Sequence, residues 1–219
     1  MKGIIGKKLG MTQVYDSTGA IQPVTVIEAG PCTVLALRTV KKDGYSAVQL
    51  GFGKRKAKNV SKAVLGHVAA AGLKDTPPTE ISEFRLAADP EMAIGDQLTA
   101  AIFAENEFVD ISGVTKGKGF QGVVRRYGFK GGPATHGSGF HRRPGSIGMK
   151  AAPGRVLKGK RMGGRMGGDQ RTTQNLKVVK VRADENLLLV LGAVPGPNGG
   201  TVMVRSALKK KPAVSATTK

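Results

Sequence analysis

The sequence is short of several residue types, and each shortage argues against a class of function. It has one cysteine, Cys32, no tryptophan, and only three Tyr and seven Phe among its 219 residues. A single cysteine excludes an intramolecular disulfide and a multi-cysteine metal site. So few aromatic residues argue against a binding face built mainly on base stacking. No apolar run approaches the roughly 18–20 residues of a membrane span and no signal-peptide core is present, so we expect a cytoplasmic protein without a membrane partner.

The residue groupings that carry catalysis or hold a metal are also missing from the sequence. It contains no paired carboxylates and no nucleophile with a base and a carboxylate at hand. The three histidines are His67, His136 and His141, and the last two have no third ligand except distant Asp169. We therefore predict that the protein is not an enzyme, binds no metal or other cofactor, and takes no small-molecule substrate.

What the sequence does have is basic charge concentrated in one segment. Residues 115–171 hold fourteen Lys or Arg, one acid and sixteen Gly, which is a net +13 of the formal +20. Residues 1–114 and 172–204 together are near neutral, with sixteen basic and fourteen acidic residues. Such an asymmetry indicates a polyanionic partner, and we predict nucleic acid.

Outside the basic segment the pattern predicts a mainly β fold. Short runs rich in β-branched residues, of which 24–27 is one, are separated by Gly, Pro and Asp turns, and Met11–Tyr15 reads as one strand of a hairpin. A short helix is predicted to start after Ser61. In 176–182 the apolar residues move from even to odd positions, which indicates a β-bulge. Together these signs predict a small antiparallel β-barrel with a small α/β insert and a long irregular basic loop extension.

The predicted organisation has three parts. Residues 1–114 and 172–208 form the barrel body with the insert at 58–98, residues 115–171 form an extended loop, and residues 209–219 form a flexible basic tail. Strand-like residues on both sides hold the ends of the loop. With sixteen glycines and few apolar side chains, the loop cannot bury enough surface to offset the conformational entropy that it would lose on becoming ordered. We therefore expect it to be mobile when free and ordered by its partner.

Two stretches of the loop imitate nucleotide-binding motifs without completing them. Residues 117–122 (GKGFQG) fit the dinucleotide fingerprint by letter, but no acid follows about twenty residues on and 123–128 is a poor helix. Residues 154–161 end on Arg161 where a phosphate-binding loop needs Ser or Thr for Mg²⁺. The glycines and lysines of this second stretch still suit contact with a nucleic-acid backbone.

RNA is favoured over DNA as the partner, because a glycine-rich cationic strand threads into a folded RNA more readily than it forms a groove-reading helix. Arginine forks suit bidentate contact with phosphate. Lysines at 54–58 and at the C-terminus are predicted as secondary contacts. The candidate RNA-binding residues are Lys116, Lys118, Arg125, Arg126, Lys130, His136, His141, Arg142, Arg143, Lys150, Arg155, Lys158, Lys160, Arg161, Gly163, Gly164, Arg165 and Arg171.

Several stretches, in order along the chain, resemble the bacterial ribosomal protein L3 family of the large subunit. They are 3–12 (GIIGKKLGMT), 23–28 (PVTVIE), 115–122 (TKGKGFQG), 134–137 (ATHG), 141–148 (HRRPGSIG), 187–190 (LLLV) and 192–196 (GAVPG). The resemblance implies a barrel of the translation-protein type and a loop that threads ribosomal RNA toward the peptidyl-transferase centre. It also implies neighbouring ribosomal proteins as partners, a place in the cytoplasmic ribosome, and a structural role that begins early in subunit assembly.

The resemblance further implies a loop tip around Gly159–Gly168. Some members carry a methylated glutamine there in Gly-Gln-Met-Gly, whereas this chain has Arg165 in that position. Two other readings stay open: a non-ribosomal protein that compacts DNA, and a nucleotide-dependent enzyme.

Overall fold

Antiparallel strands dominate the regular structure of the chain. The computed structural model describes residues 2–210, so the predicted tail from residue 211 onward lies outside the described residues. In chain order the strands are β1 (Gly3–Tyr15), β2 (Ile21–Ala29), β3 (Cys32–Arg38), β4 (Ala47–Phe52), β5 (Glu80–Arg85), β6 (Gln97–Leu98), β7 (Phe108–Val114), β8 (Phe120–Gln121), β9 (Gly164–Arg165), β10 (Gln170–Arg182), β11 (Leu187–Leu191) and β12 (Thr201–Ser206). The α-helices are α1 (Val40–Asp43), α2 (Lys62–Ala69) and α3 (Val123–Tyr127), and 3-10 turns lie at Ala57–Asn59 and Ala100–Ile102.

Six antiparallel strands close a barrel in the order β1–β12–β7–β10–β11–β2, which confirms the predicted mainly β fold. Val202 and Val204 of β12 are buried and alternate with less buried neighbours, as the two-residue period of a strand requires. The register sets Ile4 opposite Val204 and Val204 opposite Ile111. All three are buried, so neighbouring strands bring a row of apolar side chains into the core.

A second sheet joins β5, β4, β3 and β6 in that order. Two of its strands, β3 and β4, precede residue 58. The sheet therefore extends beyond the predicted insert at 58–98. Helix α2, between β4 and β5, begins after Ser61 as predicted, although the Ser61 hydroxyl makes no capping hydrogen bond. One apolar cluster contains residues of both sheets, including Ile5 of β1, Cys32 of β3 and Leu50 of β4.

Strand β10 carries two irregularities. The predicted bulge is confirmed, since the register with β11 shifts between Val178 and Lys180. A second shift, against β7, lies beside Asn175, whose φ is +58°. Buried Asp110 of β7 accepts hydrogen bonds from the Asn175 N–H at 2.9 Å and the Leu208 N–H at 3.3 Å. The carboxylate therefore satisfies two backbone donors, one of them at the irregular point of the ladder and the other beyond the end of β12.

The ends of the basic segment are held by paired strands. Val114 at the end of β7 lies opposite Gln170 at the start of β10, and Gly113 lies opposite Arg171. The chain accordingly divides into two compact units, residues 2–114 with 170–210 and residues 115–169. None of the helices within residues 2–210 is long and apolar enough to cross a membrane.

The buried thiol of Cys32 leads to a prediction about reactivity and pH. It donates a hydrogen bond to the Ile5 carbonyl oxygen at 3.2 Å, and burial raises its pKa from 9.0 to about 12. At neutral pH we expect the native protein to react with an aromatic disulfide reagent roughly a hundredfold or more slowly than the protein in guanidinium, because reaction needs local opening. Equal rates would contradict this burial.

The same shift sets the sign of a stability change at high pH. Above about pH 9 the unfolded thiol loses its proton while the folded thiol keeps it, so the free energy of unfolding falls between pH 9 and about 12. Below pH 9 this group contributes no pH dependence. Urea titrations of the wild type and of Cys32→Ala isolate the contribution, since the variant lacks it and the other titrating groups are common to both.

Candidate nucleic-acid interface

The basic segment begins and ends in an antiparallel ladder. We call residues 115–121 and 164–169 the stem. Within it the Thr115 N–H donates to the Asp169 carbonyl oxygen at 2.9 Å, and the Lys118 N–H donates to the Met166 carbonyl oxygen at 2.9 Å. Further along, β8 pairs with β9. The stem is therefore held by backbone hydrogen bonds. Glycine forms these as other residues do, because the bonds need no side chain.

The stem includes part of the tip that the resemblance implies around Gly159–Gly168. Residues 164–168 run antiparallel to 115–121 in the structure. The backbone of this part of the implied tip is therefore held by pairing. Gly167 shows why glycine is required there: its φ is +73°, and a Cβ would collide with the carbonyl oxygen of Lys116.

Helix α3 corrects one expectation, because residues 123–127 form a helix where the sequence indicated a poor one. Gly122 is the N-cap, and Gly128, with a φ of +75°, donates its N–H to the carbonyl oxygens of Val123 and Val124. Glycine in the left-handed conformation is the commonest way to end a helix. Gly128, directly after residues 123–127, is the sequence signal that could have predicted this short helix.

Arg126 of α3 has partners inside its own unit. Its Nη1 donates to the Met162 carbonyl oxygen at 2.9 Å, and its guanidinium carbon lies 5.0 Å from the centre of the Tyr127 ring. The Arg161 guanidinium carbon lies 5.6 Å from the same ring. These contacts tie α3 to the returning chain, so Arg126 stabilises the unit as well as contributing charge.

Both histidines of the segment lie in left-handed backbone conformations. The φ of His136 is +57° and that of His141 is +40°. The His141 carbonyl oxygen accepts a hydrogen bond from the Gly132 N–H at 2.7 Å, and a Cβ on Gly131 would collide with that oxygen. The imidazoles are exposed, so the backbone turns here present two polar rings at the surface.

The structure exposes nearly every predicted RNA-binding side chain. Arg126 is half-buried, as are the backbone positions Gly163 and Gly164, and Arg171 belongs to β10 of the barrel. The exposed ones are Lys116, Lys118, Arg125, Lys130, His136, His141, Arg142, Arg143, Lys150, Arg155, Lys158, Lys160, Arg161, Arg165 and Arg171.

These cations are not neutralised by the protein. Among residues 2–210, no Lys or Arg of 115–169 forms a salt bridge with an acid, whereas four such pairs occur elsewhere, Arg38 with Asp43 at 2.9 Å among them. Asp169 is the only acid in 115–169. A concentrated positive charge that is not paired with acids attracts phosphate groups over a distance of about the Debye length.

The arrangement of possible metal ligands differs from that of the basic side chains. Across the described part of the chain, no group of three or more His, Cys, Asp or Glu side chains is placed to hold a metal ion. What the surface offers is many exposed guanidinium and ammonium donors on a glycine-rich backbone, and this arrangement suits the binding of a phosphate backbone.

Fold and surface together define a class: a closed antiparallel barrel protein whose second unit is cationic and glycine-rich. The family described as Ribosomal protein L3 matches residues 80–187. The chain belongs to this family, as its similarity to curated relatives over nearly its whole length shows.

Three of these relatives carry the description Large ribosomal subunit protein uL3. The protein from Acidothermus cellulolyticus is 53% identical over 212 residues, covering 96% of this chain and 95% of the relative. The protein from Pelotomaculum thermopropionicum is 51% identical over 210 residues, covering 96% and 99%. The protein from Deinococcus radiodurans is 53% identical over 210 residues, covering 95% and 96%.

The close approach at Gly167 yields a test of the stem. We expect Gly167→Ala to open the ladder, because it combines a left-handed φ with a backbone collision. Amide hydrogen exchange at Lys118 and Met166 should accelerate by about tenfold or more, and protease should cleave 115–169 sooner. Gly117→Ala is the matched control, since its Cβ would meet nothing within 4 Å and its φ is not positive. Equal exchange in the two variants would show that the close approach at Gly167 does not stabilise the ladder.

Proposed function

We propose that this protein is a structural constituent of the large ribosomal subunit and binds ribosomal RNA directly through residues 115–171. The observation that carries the proposal is the exposed, unpaired positive charge of 115–169 on a unit separate from a near-neutral barrel. The names of the relatives add the setting, since each is described as a protein of the large ribosomal subunit.

The binding mode that fits this surface is directed at the RNA backbone. Exposed arginines such as Arg142, Arg143 and Arg155 offer planar forks for phosphate oxygens, and the exposed lysines add point charges. Glycines of the segment let RNA strands approach the polypeptide closely. The partly engaged Arg126 contributes less to phosphate binding than its exposed neighbours, because one of its donors is already used by Met162.

The finer role follows from family membership and the resemblance described above. The protein binds ribosomal RNA early and supports subunit assembly, with neighbouring ribosomal proteins as further partners. Residues 115–171 run through the RNA toward the peptidyl-transferase centre. The chemistry at that centre belongs to RNA, so the protein acts as a scaffold rather than an enzyme, in the ribosome of the cytoplasm.

Salt dependence tests the binding mode. The triple variant Arg142→Gln, Arg143→Gln, Arg155→Gln should lower affinity for large-subunit ribosomal RNA and reduce the slope of log K against log salt by about 2 to 3, at roughly 0.7–0.9 per phosphate contact. The control replaces three exposed lysines of the barrel unit, Lys41, Lys42 and Lys74, by Gln and should leave the slope nearly unchanged.

Competition decides between RNA and DNA. The protein should stay bound to large-subunit ribosomal RNA at a salt concentration that strips it from duplex DNA. Equal retention on both would favour the DNA-compacting alternative, and equal slope changes in the two triple variants would overturn the assignment of binding to residues 115–171.

Arg165 gives a more local test. Its backbone is held in the stem, its side chain is exposed, and it has no ion pair with any described residue. Arg165→Gln should therefore leave the urea midpoint unchanged while it raises the chemical reactivity of the adjacent RNA in assembled subunits. Arg165→Lys, which keeps the charge, should fall in between. Unchanged RNA reactivity in the Gln variant would count against a phosphate contact.

A further inference from the structure

Phe120 of the stem is an aromatic ring that the protein leaves largely uncovered. It is 79% exposed, more than any other large apolar side chain that the structure describes. Its Cε1 and Cζ lie over Gly163, where a built Cβ would sit 3.1 and 3.2 Å from them. The ring thus rests on backbone at one edge, and a side chain at position 163 would push it away.

A lone exposed apolar residue is ordinary, so the neighbours of Phe120 decide its meaning. In the ladder Phe120 lies directly opposite Arg165, and residues directly opposite on paired strands project to the same face. Lys118, two residues earlier, is also exposed. Asp169 is the only acid in residues 115–169. An open ring with cations beside it suits a partner that is flat, apolar and attached to negative charge.

The backbone under this ring is held in place. Phe120 belongs to β8, which is paired with β9, and the Met166 N–H donates to the Gly119 carbonyl oxygen at 3.0 Å. A ring on a paired strand loses less entropy on binding than a ring on a free loop, so the same contact gives a higher affinity.

The other aromatic rings of the unit are less exposed than Phe120 and have contacts of their own. Tyr127 carries the guanidinium groups of Arg126 and Arg161 at 5.0 and 5.6 Å from its centre and has Phe129 at 6.3 Å. Phe140 packs on Gly132, where a built Cβ would be 2.5 Å from its Cδ1. With 79% exposed, against 40% for Phe140 and 37% for Tyr127, Phe120 is the most open ring that the unit offers to a ligand.

We propose that Phe120 is a stacking site for one unpaired RNA base, with Arg165 binding a phosphate beside it. The proposal rests on the proposed function and adds to it the kind of RNA feature that is bound: a base turned out of a helix, in a loop, bulge or junction. An aromatic face accepts any of the four bases, so the site selects unpaired structure rather than sequence.

A single-tryptophan reporter tests the proposal directly, because the wild type has no Trp. Phe120→Trp places an indole at the stacking position, and Tyr15→Trp places one at a comparably exposed position, 69%, on β1 of the other unit. On addition of full-length large-subunit ribosomal RNA, we expect the emission at position 120 to fall by about half or more and to become protected from acrylamide. The emission at position 15 should change little.

Affinity measurements separate stacking from charge. Phe120→Leu keeps an apolar side chain but loses the aromatic face, and it should weaken RNA binding about fivefold to one-hundredfold with an unchanged salt slope. Phe120→Tyr keeps the ring and should bind within about twofold of the wild type. Lys118→Gln should instead reduce the salt slope by about 0.7–0.9.

Each outcome bears on one claim. If the wild type does not bind ribosomal RNA, the proposed function fails. If it binds, but Phe120→Leu binds equally well and the indole at 120 is not quenched, stacking is refuted and the proposed function survives. Protection of that indole only after other ribosomal proteins are added would assign the ring to a protein neighbour and also overturn the proposal.

Discussion

Backbone hydrogen bonds between β7 and β10 hold Val114 opposite Gln170, and this pairing sets the ends of residues 115–169 side by side. The barrel itself depends on the same pair, since β7 and β10 are neighbours in its closed order. Asp110 reinforces the pair from within by accepting the Asn175 N–H at the irregular point of β10. Because the barrel brings the ends together, the long segment adds little loop-closure cost of its own, which grows only slowly with length.

The molecule keeps stability and charge on different residues. Buried apolar side chains of the barrel and the second sheet form the core. Four acids of that unit pair with its own bases, as Glu107 does with Lys2. Within residues 2–210, the cations of 115–169 form no ion pair with an acid. Unpaired charges of one sign repel each other and so lower the stability of the folded state. Because these cations lie on a unit other than the barrel, their repulsion has less effect on the stability of the barrel.

Features that depend on local pattern were predictable from the sequence. The bulge at Val178 follows from a shift in alternation, and helix α2 follows from its start signal at Ser61. Features that depend on partner choice were not. Strand β1 begins already at Gly3, well before Met11, and β3 pairs with β4 in a separate sheet. The sequence of a strand does not specify which strand it pairs with, so these features could not be predicted. The stem and α3 were missed for another reason: glycine-rich strands show no apolar period, and Arg126 stabilises its helix through the distant Met162 carbonyl.

The place of β12 in the barrel has a consequence for how the chain acquires its structure during synthesis. β12 pairs with β1 on one side and β7 on the other, with Gly3 opposite Arg205. A chain emerging from its N-terminus can form the β1–β2 hairpin and the sheet of β3 to β6 early, since these pairings are close in sequence. The barrel remains an open sheet with two unpaired edges until residues 201–206 are made. By then the whole of 115–169 has been synthesised, so the cationic segment is complete before the barrel that carries it can close.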